Sequence, residues 1–172
     1  MLNVGRLIPK GRGLSRVLLA RAASVSLDWD TRCRSRFAAT DSQGRELAVF
    51  LARGTVVRGG DVLVAEDGSL VRVLAKAQPV LVVRRCPEHG GTSDLLRAAY
   101  HLGNRHVALE VQAERLQLEP DHVLAELLRR MHLLVSEELA PFEPESGAYA
   151  DGHAHRHGHA HGHAHEHGRH SH

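Results

Sequence analysis

A chain of 172 residues with 42% apolar content is long enough for one ordinary domain or two small ones. Its 22 basic and 20 acidic side chains leave a formal charge of +2, which excludes a global electrostatic pull towards nucleic acid, and aromatic residues make up only 3%. Two cysteines far apart in the chain, Cys33 and Cys86, exclude a disulfide framework or a cysteine metal knuckle, and both are expected to be buried or bystander thiols.

The opening "MLNVGRLIPKGRGLSR" lacks the apolar core of a secretion signal. No run reaches the roughly 18 apolar residues that a membrane helix needs, so a cytosolic chain with no membrane partner is expected. Residues 1–58 carry eleven basic side chains against four acidic ones, which makes that half either a docking surface or an ordinary solvated face. From Ser24 to Val73 the pattern is one of short strands. "ELAVFLARG" alternates Leu47, Val49 and Leu51 with Ala48 and Phe50, while "DVLVA" and "SLVRVLA" flank Asp67-Gly68, a strong tight-turn signal. Residues 1–75 are therefore expected to form a small β domain. The glycine-rich corner "ARGTVVRGGD" lacks the Gly-Lys-Ser/Thr ending of a phosphate loop and leads into a strand, which argues against a nucleotide site.

The texture changes at about Ala75. "PVLVVR" (79–84) is continuously apolar, as expected of a strand buried on both faces. In "CPEHGGTSDLLRAAYHLGNRH", Thr92 or Ser93 can cap a helix whose apolar face repeats at Leu95, Ala99 and Leu102 and which ends near Gly103-Asn104. "HVALEVQ" alternates Val107, Leu109 and Val111, and a turn at Ala113-Glu114 leads to Leu116 and Leu118, predicting a hairpin. "EPDHVLAELLRRMHLLV" predicts a second helix with Pro120 in its first turn, Asp121 at the positive end of its dipole, and an apolar face of Val123, Leu124, Leu127, Leu128 and Met131. A last short strand fits in "LLVSEELAPFEPE". The order β, α, β, β, α, β predicts an α+β chain in which a ferredoxin-like domain spans residues 76–146.

Beyond Gly147 apolar periodicity stops, so residues 147–172 are expected to be disordered when unliganded. Ten histidines alternate there with Ala and Gly: His153, His155, His157, His159, His161, His163, His165, His167, His170 and His172. Consecutive histidines, the mark of a purification tag, are absent, and Arg156, Glu166 and Arg169 interrupt the tract. Neutral imidazole ligates borderline divalent ions such as Ni(II), Zn(II) and Cu(II). Rings at i and i+2 lie about 7 Å apart in an extended chain, too far to share an ion, but Gly and Ala let the backbone curl until several converge. Many interchangeable ligand sets result, which suits quick capture and hand-over.

Five histidines lie outside the tail: His89, His101, His106, His122 and His132. An isolated histidine is more often structural than a ligand. His101 and His106 are five residues apart, about 140° around a regular helix, so they cannot chelate one ion from a single helix. Any ligand among them needs partners from elsewhere.

"RAAYHLGNRHVALEV" (97–111), "DHVLAELL" (121–128), "PFEPESGAYA" (141–150), "RGTVVRGGDVL" in the β half and the histidine-rich terminus together resemble the UreE family of urease accessory nickel metallochaperones. The likeness covers essentially everything after the first twenty or so residues. It implies a homodimer of two-domain subunits, with an N-terminal domain likened to peptide-binding domains of chaperones and a C-terminal domain that dimerises. It also implies that His106 faces its symmetry mate to grip one nickel ion, and that His101 and His122 belong to weaker peripheral binding. Pro120, however, stands where the family pattern has a histidine. The partners implied are the accessory GTPase and the apo-urease maturation complex.

The expected function is thus a non-enzymatic carrier with Ni(II) as cargo and Zn(II) or Cu(II) as competing ions in vitro. A general divalent-metal buffer is the alternative. A metal hydrolase fares badly because no His-Glu-x-x-His or similar motif supplies ligands and a base. A nucleic-acid binder lacks any recognised reader motif.

Overall fold

The computed structural model describes residues 1–146 apart from His89 and Thr92. Alternation of apolar and polar residues builds its first sheet, because each strand must bury one face. Strands β1 (Leu2–Ile8), β2 (Ala23–Leu27), β3 (Arg36–Thr40), β4 (Glu46–Phe50), β5 (Val62–Ala65) and β6 (Leu70–Ala75) form a mixed, barrel-like sheet in the order β2-β6-β5-β1-β4-β3. Its core holds Val4, Leu47, Leu63, Val71 and Val73, all at 0% exposure. The Asp67-Gly68 turn closes β5 onto β6, with Gly68 in the left-handed region and Asp67 Oδ1 accepting from the Ser69 N–H. Strand β1 was not foreseen as a strand, yet it pairs parallel with β4 and antiparallel with β5. Only Val4 in it is buried, so its alternation is too weak to read locally. Short helices α1 (Arg16–Arg21) and α2 (Trp29–Arg32) are capped by the side chains of Ser15 and Asp28. Cys33 is exposed and Cys86 half-buried, so of the two expectations, buried or bystander, the first does not hold.

The second sheet follows the predicted order. Strand β7 (Ala77–Arg85), helix α3 (Asp94–Gly103), hairpin β8 (Leu109–Gln112) and β9 (Arg115–Leu118), helix α4 (His122–Arg130) and β10 (Leu133–Pro141) make a βαββαβ unit. Its four antiparallel strands run in the order β10-β7-β9-β8. Val80 to Val83 are all buried, as a central strand requires. Leu81 and Val83 pack under the helices with Ala98, Leu102 and Leu128, while Val80 and Val82 face the other way onto Phe142. The last strand is not short: β10 pairs with β7 over nine residues. Val111 lies on the same face as Leu109, against Leu95, Ala99 and Leu116, but is 48% exposed because β8 is an edge strand.

The two sheets meet at a charged seam. Arg32 is fully buried; its Nη1 donates to Glu143 Oε1 (2.5 Å), its Nη2 to the Phe142 carbonyl (2.5 Å) and its Nε to the Leu27 carbonyl (3.2 Å). Burial pushes the Arg32 guanidinium down from its ordinary pKa, and the facing Glu143 carboxylate acts against that shift. Trp29 meets Phe142 edge to face at 6.0 Å, which closes the apolar side of the seam.

Candidate metal site

Helix α3 buries Ala98 and Leu102, with Leu95 and Ala99 half-covered, close to the predicted face. Its start departs from expectation. Ser93 occupies the cap position without a side-chain bond, and Asp94 Oδ2 instead accepts from the Gly91 N–H at 2.7 Å. Thr92, the other expected cap, lies outside the described residues.

Its end carries the main observation. The His106 N–H donates to the Gly103 carbonyl (2.9 Å) and the Val107 N–H to the Leu102 carbonyl (3.2 Å). These two bonds define a Schellman close, in which one residue must turn left-handed and the next returns to the core. Val107 does pack against the core. The left-handed residue is His106, at φ 56°, three residues beyond Gly103, where the helix ends as expected. A residue with a Cβ costs roughly 1–2 kcal/mol in that conformation, which glycine avoids. The corner lifts His106 off the helix and exposes its ring. No hydrogen bond or ion pair of its imidazole occurs among the described residues.

The other ordered histidines are separate from it. His101 is exposed on α3, its ring edge-to-face with Tyr100 at 5.5 Å, and it lines a cleft with Asp94, Arg97, Met131 and His132. His122 is exposed at the first position of α4 and lines a different cleft with Arg105, Glu126 and Arg130. Asp121, not Pro120, starts that helix: its Oδ1 accepts from the N–H groups of Val123 (2.8 Å) and Leu124 (3.0 Å), leaving Pro120 outside the first turn. On α4 only Ala125 and Leu128 are fully buried, whereas Val123 is 62% exposed, because the face turns one residue from the predicted stripe.

Among the described residues no group of three His, Cys, Asp or Glu side chains is placed to hold a metal ion. His106 therefore offers one imidazole per protomer, which can be a site only with ligands from a second copy or from the tail. The ten tail histidines lie outside the described residues. Sequence reasoning passed over His132, left-handed at φ 61° after α4, and the seam residues Arg58 and Glu143. The "PFEPE" run was a visible signal for the last of these. Among the described residues no helix is long and apolar enough to cross a membrane.

Comparison with known proteins accounts for the whole chain. Residues 4–76 match the model of the N-terminal domain of UreE urease accessory protein, and residues 78–172 match that of its C-terminal domain. A urease accessory protein UreE of Methylibium petroleiphilum is 71% identical over 155 residues, covering 90% of this chain and 71% of the relative. The corresponding proteins of Paracidovorax citrulli (67% over 152 residues, 88% of this chain and 72% of the relative) and Albidiferax ferrireducens (64% over 156 residues, 90% of each) are similar throughout. With both domains matched in order along one chain, this chain belongs to the UreE family of urease accessory proteins, non-enzymatic nickel chaperones of urease assembly.

Proposed function

We propose that the chain works as a homodimer in which two His106 side chains, one from each protomer, hold a single Ni(II) ion across the two-fold axis. A two-fold axis turns one ligand per subunit into two and leaves the remaining coordination positions open. The observation that carries this is the exposed His106 at the turn from α3 into β8, in a chain matched by both UreE domain models, with no hydrogen bond or ion pair of its imidazole among the described residues. Tail imidazoles, His153 to His172, collect the ion and complete its coordination, and an incompletely caged ion can be released to the next protein. Zn(II) and Cu(II), which imidazole also accepts, compete in vitro. His101 and His122 add at most weak peripheral binding, since each sits in its own cleft.

Delivery runs through the accessory GTPase and the apo-urease complex, in the cytoplasm. Helix α1 suits docking: it has no buried residue and exposes Arg16, Val17, Leu18 and Arg21 together.

Nickel stoichiometry and dimer mass, compared between the unaltered chain and His106→Ala, test the site. Loss of one ion per dimer with the dimer retained supports it; an undiminished interfacial ion ends it. Truncation after Ala150 separates carrier from buffer, because a buffer loses all binding whereas the carrier keeps one ion per dimer. Imidazole ligates only when unprotonated, and its ordinary pKa is roughly 6.5. Nickel affinity measured by calorimetry therefore falls steeply as pH drops through that range.

A further inference from the structure

Residues 142–146 are tied at nearly every position, although the sheet itself ends at Pro141. From β10 at one edge this strap crosses the sheet face opposite α3 and α4, packing Phe142 onto Val80 and Val82. It reaches β8 at the other edge, where the Glu143 N–H donates to Glu110 Oε2 (2.7 Å) and the Glu145 N–H to the Leu109 carbonyl (2.8 Å). Three strand spacings separate those edges, about 14 Å.

The β domain clamps the strap from outside. Glu143 Oε1 accepts from the Gly59 N–H (2.8 Å) as well as from Arg32. Arg58 donates from Nη1 to the Pro144 carbonyl (2.6 Å) and from Nη2 to Ser146 Oγ (3.1 Å). Arg32 and Arg58 lie 5.2 and 4.9 Å from the centre of the Trp29 ring, so two cations share one aromatic and one carboxylate. The glycine-rich corner rejected as a phosphate loop thus grips a carboxylate. A Cβ on Gly59 would lie 2.9 Å from Glu143 Oε1, so a larger residue there would push the carboxylate aside.

The clamp leads somewhere specific. Leu109, where the strap is pinned, is three residues from His106, and the first tail histidine, His153, comes eight residues after Glu145. Eight residues span up to about 28 Å. We propose that the strap is a positioning element for nickel transfer: it fixes the root of the histidine tract beside the His106 corner, and Arg58, Glu143 and Arg32 thereby set the effective concentration of tail imidazoles at that site. This rests on the His106 site proposed above. Without the strap, the last fixed point would be β10, on the far edge of the sheet.

The test measures nickel affinity of the full chain by competition with a chelator. One variant is Arg58→Ala, with its fold checked by circular dichroism; a second inserts twenty Gly/Ser residues after Ser146 and leaves every strap contact intact. Each is made with the natural tail and again with all ten tail histidines replaced by glutamine. Lengthening the tether from eight to 28 residues lowers affinity about sixfold, by the three-halves power of length, and Arg58→Ala lowers it by up to about twofold, the ratio reached if the tether is freed back to Pro141. Neither changes the affinity of the glutamine-tailed chain. Unchanged affinity in either natural-tailed variant overturns the proposal, as does an equal loss with the glutamine tail, which would mean that the strap acts only on the fold of β8. His106→Ala run alongside keeps the two ideas apart: a retained interfacial ion there overturns the site itself, whatever the strap variants do.

Discussion

The second domain contains two βα units that close in the same way but sit in different surroundings. After α3 the chain turns left-handed at His106 and enters the short edge strand β8; after α4 it turns left-handed at His132 and enters the long edge strand β10. In both corners the histidine N–H donates to the carbonyl three residues back, Gly103 or Arg129. Left-handed backbone at a histidine is therefore not by itself a mark of ligation. What differs is the company. His132 shares a cleft with Asp94, Arg97 and His101, whereas His106 lies three residues from Leu109, where the strap is pinned.

The strongest way to break this contrast is to truncate both histidines. His106→Ala removes the interfacial nickel ion, and His132→Ala leaves stoichiometry unchanged; equal losses by calorimetry would make the two corners equivalent. The helix starts differ next. Asp121→Ala removes a cap with two bonds and costs about 1–2 kcal/mol in urea unfolding, whereas Ser93→Ala costs a few tenths, since Ser93 makes no cap bond. Glycine sharpens the contrast further. His132→Gly relieves a left-handed side chain and gains about 1 kcal/mol, raising Tm by about 3 °C with nickel binding intact. His106→Gly gains the same stability while losing the ion, so stability and function move in opposite directions only at that corner.

The smallest effect concerns β10. The Arg84 side chain, through its hydrogen bond and charge, with help from Ser136, holds the Glu138 carboxyl below its ordinary pKa. A depressed carboxyl contributes stability that is present above the unfolded value, about 4.3, and is lost as pH falls through the lower folded value. Glu138→Gln therefore lowers Tm slightly at neutral pH and leaves it almost unchanged once the pH has fallen below the folded carboxyl's pKa, which flattens the acid limb; β8 has no matching arginine pair among the described residues.

Much of this was legible from local pattern. The continuous run Val80–Val83 marked a doubly buried strand, the spacing of Leu95, Ala99 and Leu102 marked α3, and Asp67-Gly68 marked a hairpin, because each depends on neighbours within a few residues. The helix end was read correctly: α3 stops at Gly103 with Asn104 as its cap. Gly103 and Asn104 are good stop residues, but the left-handed turn must fall where the next residue, Val107, can return to the core, and that is decided by the sheet beneath. β1 was missed for a related reason: its place depends on partners at Leu47 and Val62, 45 and 54 residues away from Leu2 and Ile8.

By itself the amino-acid order determined the periodic elements, the two-part organisation and the histidine tract, since hydrophobic period and composition are properties of contiguous residues. The tertiary structure alone decided that His106 would be the left-handed corner, and that Glu143 would be seized by Arg32, Gly59 and Arg58 more than eighty residues earlier in the chain. Desolvated charges must find partners wherever the fold brings them, and nothing in a local pattern encodes that meeting.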